Sequence, residues 1–230
     1  MAQAYKSVLV ISDLHIPYHH PDAFNFLKAL KTKYKPDLVI NIGDELDMHA
    51  MSMHDSDPDL FSAGHELAAS IAYIQTLEKI FPKMKIVHSN HSSMLYRRAL
   101  KHGVPKGYLK HYNDFLGVEE DITINLSDGS RCFFTHGLSA DVLKVAMQYG
   151  MNTVQGHYHT KFSIGYYSNP DALVWGMQVG SLINQKSMAF NYAKNFKTRF
   201  IVGCGMILNG QPKLMPMVLN TNGKWNGKIV

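Results

Sequence analysis

The feature that most constrains this chain is a set of short apolar runs, each ending on residues too polar to be left bare in a core. Ser7-Val8-Leu9-Val10-Ile11-Ser12 runs into Asp13, and Leu38-Val39-Ile40-Asn41-Ile42 runs into Gly43-Asp44. Runs that are apolar at consecutive rather than alternate positions are those of strands covered on both faces. Lys85-Ile86-Val87 leads in the same way towards Ser89-Asn90-His91. Residues 131–135 lead into His136-Gly137, and Thr153-Val154-Gln155 into Gly156-His157-Tyr158-His159.

Helical spacing fills the gaps between these strands. It covers residues 22–33 (Phe24, Phe26, Leu27, Leu30) and 65–80 (Leu67, Ile71, Ile74, Leu77), the latter stopped by Pro82. Further helices are predicted over 93–102, before Gly103 and Pro105, and over 141–149, closed by Gly150. Ser127-Asp128-Gly129-Ser130 reads as a hairpin joining strands 122–126 and 131–135. From Phe162 onward the chain is mostly strand, with segments over 172–179, 199–208 and 214–219. An alternating first half and a strand-rich second half predict a two-sheet α/β domain with helices outside. With 230 residues, no internal repeat and no linker, residues 1–230 are expected to form one domain. Ligands of such folds lie in the crevice beyond the carboxyl ends of the strands.

Composition narrows the setting. No apolar run reaches bilayer length, and the N-terminus enters a strand without a signal-peptide core. Cys132 and Cys204 fall inside strands and read as reduced core thiols. Together these point to the cytoplasm and away from a membrane. The formal charge of +5 favours an anionic partner without identifying one. The oligomeric state is not legible.

The strand ends form one constellation: Asp13 and His15, Asp44, Asn90 and His91, His136, His157 and His159. Several imidazoles with carboxylate and amide oxygens suit a pair of divalent ions. The mixed nitrogen and oxygen set fits Mn, Fe, Zn, Ni or Co better than Mg or Ca. Two such ions clamp an in-line displacement at phosphorus.

The blocks SDLHIP, NIGDELD, SNHSS, THG and GHYH occur in that order over about residues 8–160. In this the chain resembles the calcineurin-like metallophosphoesterases, whose pattern is D-x-H, G-D-x-x-D, G-N-H-[DE], a lone His and G-H-x-H. The resemblance implies an α/β/β/α sandwich and two divalent transition-metal ions, Mn first among them. It implies that Asp13, His15 and His159 hold one ion, that Asn90, His136 and His157 hold the other, and that Asp44 bridges them. A metal-bridging hydroxide would be the nucleophile and His91 the acid that protonates the leaving oxygen. Two positions depart from the pattern: Ser89 stands where the family has Gly, and Ser92 where it has Asp or Glu. The supporting acid that Ser92 removes is expected from Asp47, whose carboxylate would orient His91 and favour its charged form.

A basic cluster follows His91: Arg97, Arg98, Lys101, Lys106 and Lys110, interleaved with Tyr96 and Tyr108. Arg97 and Arg98 are the candidate substrate-binding residues, gripping phosphates that flank the scissile bond. The tyrosines would stack on bases or fill core. Lys194–Arg199 is a second basic patch. His19, His20, His49, His54, His65 and His111 carry no motif and are expected in loops or at the surface, with His49 and His54 near enough to rim the cleft. The expected activity is phosphodiester hydrolysis, with nucleic acid as the first-choice substrate. One alternative is a phosphomonoesterase, although Met48 stands where protein phosphatases have Arg. The other is an inactive metal-binding scaffold.

Overall fold

Val8 and Val10 face one way along strand β2 (Ser7–Ile11) and Leu9 and Ile11 the other, and all four are fully buried. That is why this run does not alternate: each face has its own core. The computed structural model describes residues 3–52, 59–109, 118–187 and 199–230. The expected residues His54, Lys110 and His111, and the stretch 194–198, lie outside them.

In chain order the other strands are β1 (Ala4–Tyr5), β3 (Leu38–Asn41), β4 (Lys85–Val87), β5 (Val118–Glu119), β6 (Ile122–Leu126), β7 (Arg131–Thr135), β8 (Asn152–Gln155), β9 (Phe162–Ser168), β10 (Leu173–Val179), β11 (Gly203–Leu208) and β12 (Gln211–Pro216). They form two six-stranded sheets, ordered β12-β11-β2-β3-β4-β5 and β1-β6-β7-β8-β10-β9. In the first sheet β2, β3, β4 and β5 run parallel, and β11 is antiparallel to β2. In the second β7, β8 and β10 run parallel.

The inner faces meet through Val8, Val10, Ile40, Ile42 and Val87 on one side and Ile124, Phe134, Val154, Trp175 and Met177 on the other. Helices α1 (Ala23–Tyr34) and α2 (Ala63–Ile80) cover the outer face of the first sheet, where Leu9, Ile11, Cys204 and Met206 meet Phe26, Leu27, Leu30 and Leu77. Helix α4 (Val142–Tyr149) covers β8, β9 and β10. Its start is capped by the Asp141 carboxylate, which accepts from the Leu143 and Lys144 N–H groups at 3.0 and 3.3 Å. Helix α3 (Met94–Lys101) follows β4. This is the two-sheet α/β/β/α arrangement expected. Cys132 and Cys204 are free and fully buried in separate cores. No helix among the described residues is long and apolar enough to cross a membrane.

The differences lie at the C-terminal end. Strand β12 begins at Gln211 rather than Leu214, because Asn209 and Gly210, both at positive φ, make a two-residue hairpin directly after β11. Residues 199–202 precede β11 instead of belonging to it, and Ile201 N–H bonds the His159 carbonyl.

Candidate metal centre

The loops after β2 and β3 are tied together before any side chain is considered. Asp13 N–H donates to Gly43 O at 3.0 Å, His15 N–H to Asp44 O at 2.9 Å and Ile16 N–H to Glu45 O at 2.8 Å. To turn this tightly the backbone enters the left-handed region at Asp13, His15, Asp44 and His157, four of the seven non-glycine residues at positive φ among the described residues. Such conformations are unfavourable for ordinary residues and cluster at functional sites. Glycine is sterically required at several of these turns, most tightly at two. A Cβ on Gly43, at φ +101°, would stand 2.4 Å from Ser89 Cβ, and one on Gly156 would stand 1.8 Å from Ser12 Oγ and 2.5 Å from Asp13 Oδ2.

The strand-end residues converge. His159 Nε2 is 2.9 Å from Asp13 Oδ1, and His15 Nε2 stands 3.7 Å from that same oxygen. His15 Nε2 is also 3.6 Å from Asp44 Oδ2, which in turn lies 3.1 Å from His136 Nε2. His136 Nε2 is 2.8 Å from Asn90 Oδ1 and 3.1 Å from His157 Nδ1. The crevice thus holds one group of Asp13, His15 and His159 and another of Asp44, His136, His157 and Asn90, with Asp44 between them. Donor atoms bound about 2.1 Å from one ion stand roughly 3 to 3.5 Å apart, and these, at 2.8 to 3.7 Å, straddle that spacing.

The far sides of the imidazoles are fixed as ligands require. His136 Nδ1 lies 2.9 Å from the Ile42 carbonyl, which can only accept, so Nδ1 carries a proton and Nε2, facing the crevice, is the nitrogen an ion would take. His15 Nδ1 lies 2.7 Å from Asp47 Oδ1. Outer partners of this kind set the tautomer and orientation of ligating histidines. The donor set and its supports therefore fit divalent transition metals.

Electrostatics agree. Burial pulls His15 down, but the Asp13 and Asp47 carboxylates outweigh it and raise it to about 10. Burial also opposes the charge on His136, and Asp44 raises it to about 9. Burial would push Asp44 and Asp13 up. His136 holds Asp44, and His159 and His15 hold Asp13, well below the carboxylate range. The crevice is a buried anionic site, charged enough to keep protons on two imidazoles where cations would compete for the same place.

The serine departures have a local use. Ser89 Oγ accepts from Asp44 N–H at 2.9 Å, and Ser92 Oγ accepts from Ser89 N–H at 3.0 Å. These serines knit the turn that presents Asn90 and His91, and His91 N–H donates to Asp44 Oδ1 at 3.1 Å.

Asp47 differs from expectation. Its carboxylate is on His15, not His91, while His91 Nδ1 bonds the Asp47 backbone carbonyl. The left-handed backbone at Asp44 and Met48, on either side, accompanies this placement. His91 packs edge-on to His15 with ring centres 4.6 Å apart. Burial and the His15 charge lower it, against the raising expected from a direct carboxylate partner.

Arg97 and Arg98 are already engaged. Arg97 Nη2 donates to Asn90 O at 2.7 Å and its Nε to Ser93 Oγ at 3.2 Å, bracing the Asn90 turn. Arg98 Nη1 donates to Ala50 O at 3.2 Å. Tyr108 is exposed, so the core alternative does not apply to it. His19, His20 and His49 are buried rather than at the surface. Sequence reasoning missed Glu66, which is buried beside Asp47 and His49. Its only sequence signal is an acid in the first turn of a helix capped by Ser62.

Comparison with solved structures finds the same fold in Vps29 proteins. Vacuolar protein sorting 29 from Cryptosporidium parvum superposes with a TM-score of 0.52 at 17% identity, covering 99% of this chain and 96% of that one. Vps29 from Chaetomium thermophilum gives 0.51 at 15% identity, covering 96% and 94%. Wild-type Vps29 from Entamoeba histolytica, complexed with Zn²⁺, gives 0.51 at 13% identity, covering 97% and 96%. At these identities the likeness concerns the fold. No curated protein sequence matches the chain significantly. A family model described as calcineurin-like phosphoesterase matches residues 6–177, well over half of the length. The chain belongs to the calcineurin-like phosphoesterase family.

Proposed function

We propose that the crevice holds two divalent transition-metal ions and hydrolyses phosphodiesters. Asp13, His15 and His159 would hold one ion, Asn90, His136 and His157 the other, and Asp44 would share its carboxylate between them. The observation that carries this reading is Asp44 Oδ2 lying 3.6 Å from His15 Nε2 and 3.1 Å from His136 Nε2, one oxygen between two ligand groups. Bound there, the ions supply an activated water and a clamp on the phosphoryl oxygens.

The chain's own residues do the rest. His91 stands beside His15 and Asp44 with Nδ1 bonded to a backbone carbonyl. That bond directs Nε2 outward to protonate the leaving oxygen. Its lowered proton affinity makes it a readier donor when charged. Asp47 positions His15. Arg97 and Arg98 hold the Asn90 turn and the segment after Asp47, and their remaining N–H groups are the candidate contacts to substrate phosphate.

Nucleic acid is the preferred substrate on two features, the charge of +5 and a stretch in which Lys101, Lys106 and Tyr108 are all exposed. A second reading, an inactive metal-binding scaffold, draws on the Vps29 likeness, one member of which was solved with a cyclic peptide.

The deciding experiment compares Mn²⁺-dependent turnover of p-nitrophenyl phosphate, bis-p-nitrophenyl phosphate and a single-stranded oligonucleotide, with Asp44→Asn as the blank. Diester and oligonucleotide cleavage should be lost in the blank, and His91→Ala should slow it by about 10²- to 10⁴-fold. Turnover of the monoester alone would make the protein a phosphatase. Metal binding with no turnover would favour the scaffold.

A further inference from the structure

Asp47 has two faces. Its Oδ1 lies 2.7 Å from His15 Nδ1, while its Oδ2 is buried with no hydrogen-bond partner among the described residues. That second oxygen points away from the crevice towards a cluster no family motif contains. It stands 3.8 Å from His49 Nδ1, which is 2.6 Å from Glu66 Oε2. Glu66 Oε2 is also buried and, despite that proximity, not aligned for a hydrogen bond. Asp47 is 2% exposed, Glu66 4% and His49 8%, so these oxygens have no bulk water to turn to. Buried polar atoms of this kind are rare and costly unless something pairs with them.

The surroundings hold the cluster in place without completing it. Glu66 Oε1 accepts from Met48 N–H, and Tyr18 Oη lies 3.2 Å from His49 Nδ1. The backbone of His49 and Ala50 also supports the Glu66 carboxylate, so Asp47 Oδ2 is the oxygen most in need of a partner. One donor atom from each of Asp47, His49 and Glu66 lies within 4.8 Å of the others. Among the described residues, no lysine or arginine forms an ion pair with either acid.

We propose that Asp47, His49 and Glu66 form a third divalent-cation site behind the crevice, with Asp47 joining it to His15. One imidazole and two carboxylates favour a transition metal over Mg²⁺ or Ca²⁺, and three protein ligands leave a position for water or Tyr18. The site is too buried to meet substrate. Its role is positional: a cation on Oδ2 fixes the carboxylate whose Oδ1 orients His15, so its occupancy tunes the neighbouring ion. Outer partners of metal ligands alter affinity by about 10- to 100-fold.

Native mass spectrometry of protein loaded with excess Zn²⁺ or Co²⁺ tests this by counting ions. Wild-type protein should hold one ion more than Glu66→Gln and one more than His49→Gln. Asp44→Asn should lose ions from the crevice yet keep the one that Glu66→Gln removes, so the double variant should fall lower by one again. Failure of the crevice reading would leave the Asp44→Asn count equal to wild type, a separate result. Thermal unfolding of the metal-free variants confirms that they fold, and Glu66→Gln retains an acceptor for Met48 N–H. If one variant does not fold, the other gives the count. Equal ion counts in wild type and in the folded variants would overturn the proposal.

Discussion

The sheet built on β2, β3 and β4 brings Asp13, Asp44 and Asn90 to the crevice, three oxygen donors with His15 as its imidazole in the candidate ligand set. The sheet of β7 and β8 brings His136, His157 and His159 and no oxygen. The first also bears most of the conformational cost, with left-handed backbone at Asp13, His15 and Asp44 against His157 alone on the second. The second sheet offers imidazoles alone, whereas the first offers oxygen donors with a single imidazole of the set. Each candidate group takes oxygen from one and nitrogen from the other, so the quality of the site depends on the core that registers the two sheets.

The most direct way to break this partnership is to loosen that core. Phe134 is fully buried between the sheets one residue before Thr135, which leads into His136. Phe134→Ala should cost about 3–5 kcal/mol of stability, read from urea unfolding, and should weaken metal binding at both groups together.

The first sheet can be stressed alone through acid. His19 packs against Phe24 and Tyr73 on its helix-covered side, ring centres 4.9 and 4.4 Å away, and is 7% exposed. Burial lowers it from 6.5 to about 4. Below pH 6.5 the unfolded chain takes up a proton that the folded one refuses. Stability should therefore fall as the pH drops from 6.5 towards 4, by about 3 kcal/mol once both values are passed. His19→Phe should flatten that part of the pH profile. An unchanged slope would assign it to other groups.

The smallest and most selective change is Asp47→Asn. It disturbs the anchor of His15 but not that of His136, which is a backbone carbonyl. Isothermal titration should show the ion on His15 weakened by about 10- to 100-fold and the ion on His136 little altered, apart from loss of the ion proposed between Asp47, His49 and Glu66. Equal weakening of both would mean that the two groups do not have separate supports.

Much of this was legible because each candidate ligand follows an apolar run, and a run buried on both faces fixes where its last residue points. Asp13, Asp44, Asn90, His136, His157 and His159 all follow that logic. The partner of Asp47 was not legible. Its carboxylate could reach either His15 or His91 along the chain, and the choice was made by the left-handed turns at Asp44 and Met48. Glu66 was missed for a related reason: it meets His49 only because α2 packs back over the loop after β3, a contact with no periodic signal. The early start of β12, by contrast, had a signal in Asn209-Gly210 that outweighs the apolar count after Leu214.

Where β8 ends, Gly156 lets two walls touch without a spacer. Ser12 and Asp13 lie where a methyl group would be, and His157 N–H donates to Asp13 Oδ2 at 2.9 Å. Here the side chains of one wall rest directly on the backbone of the other, with no side chain between them to yield. If the proposed function holds, such a joint would make the centre a fixed gauge and leave discrimination among phosphate esters to whatever stands at its mouth.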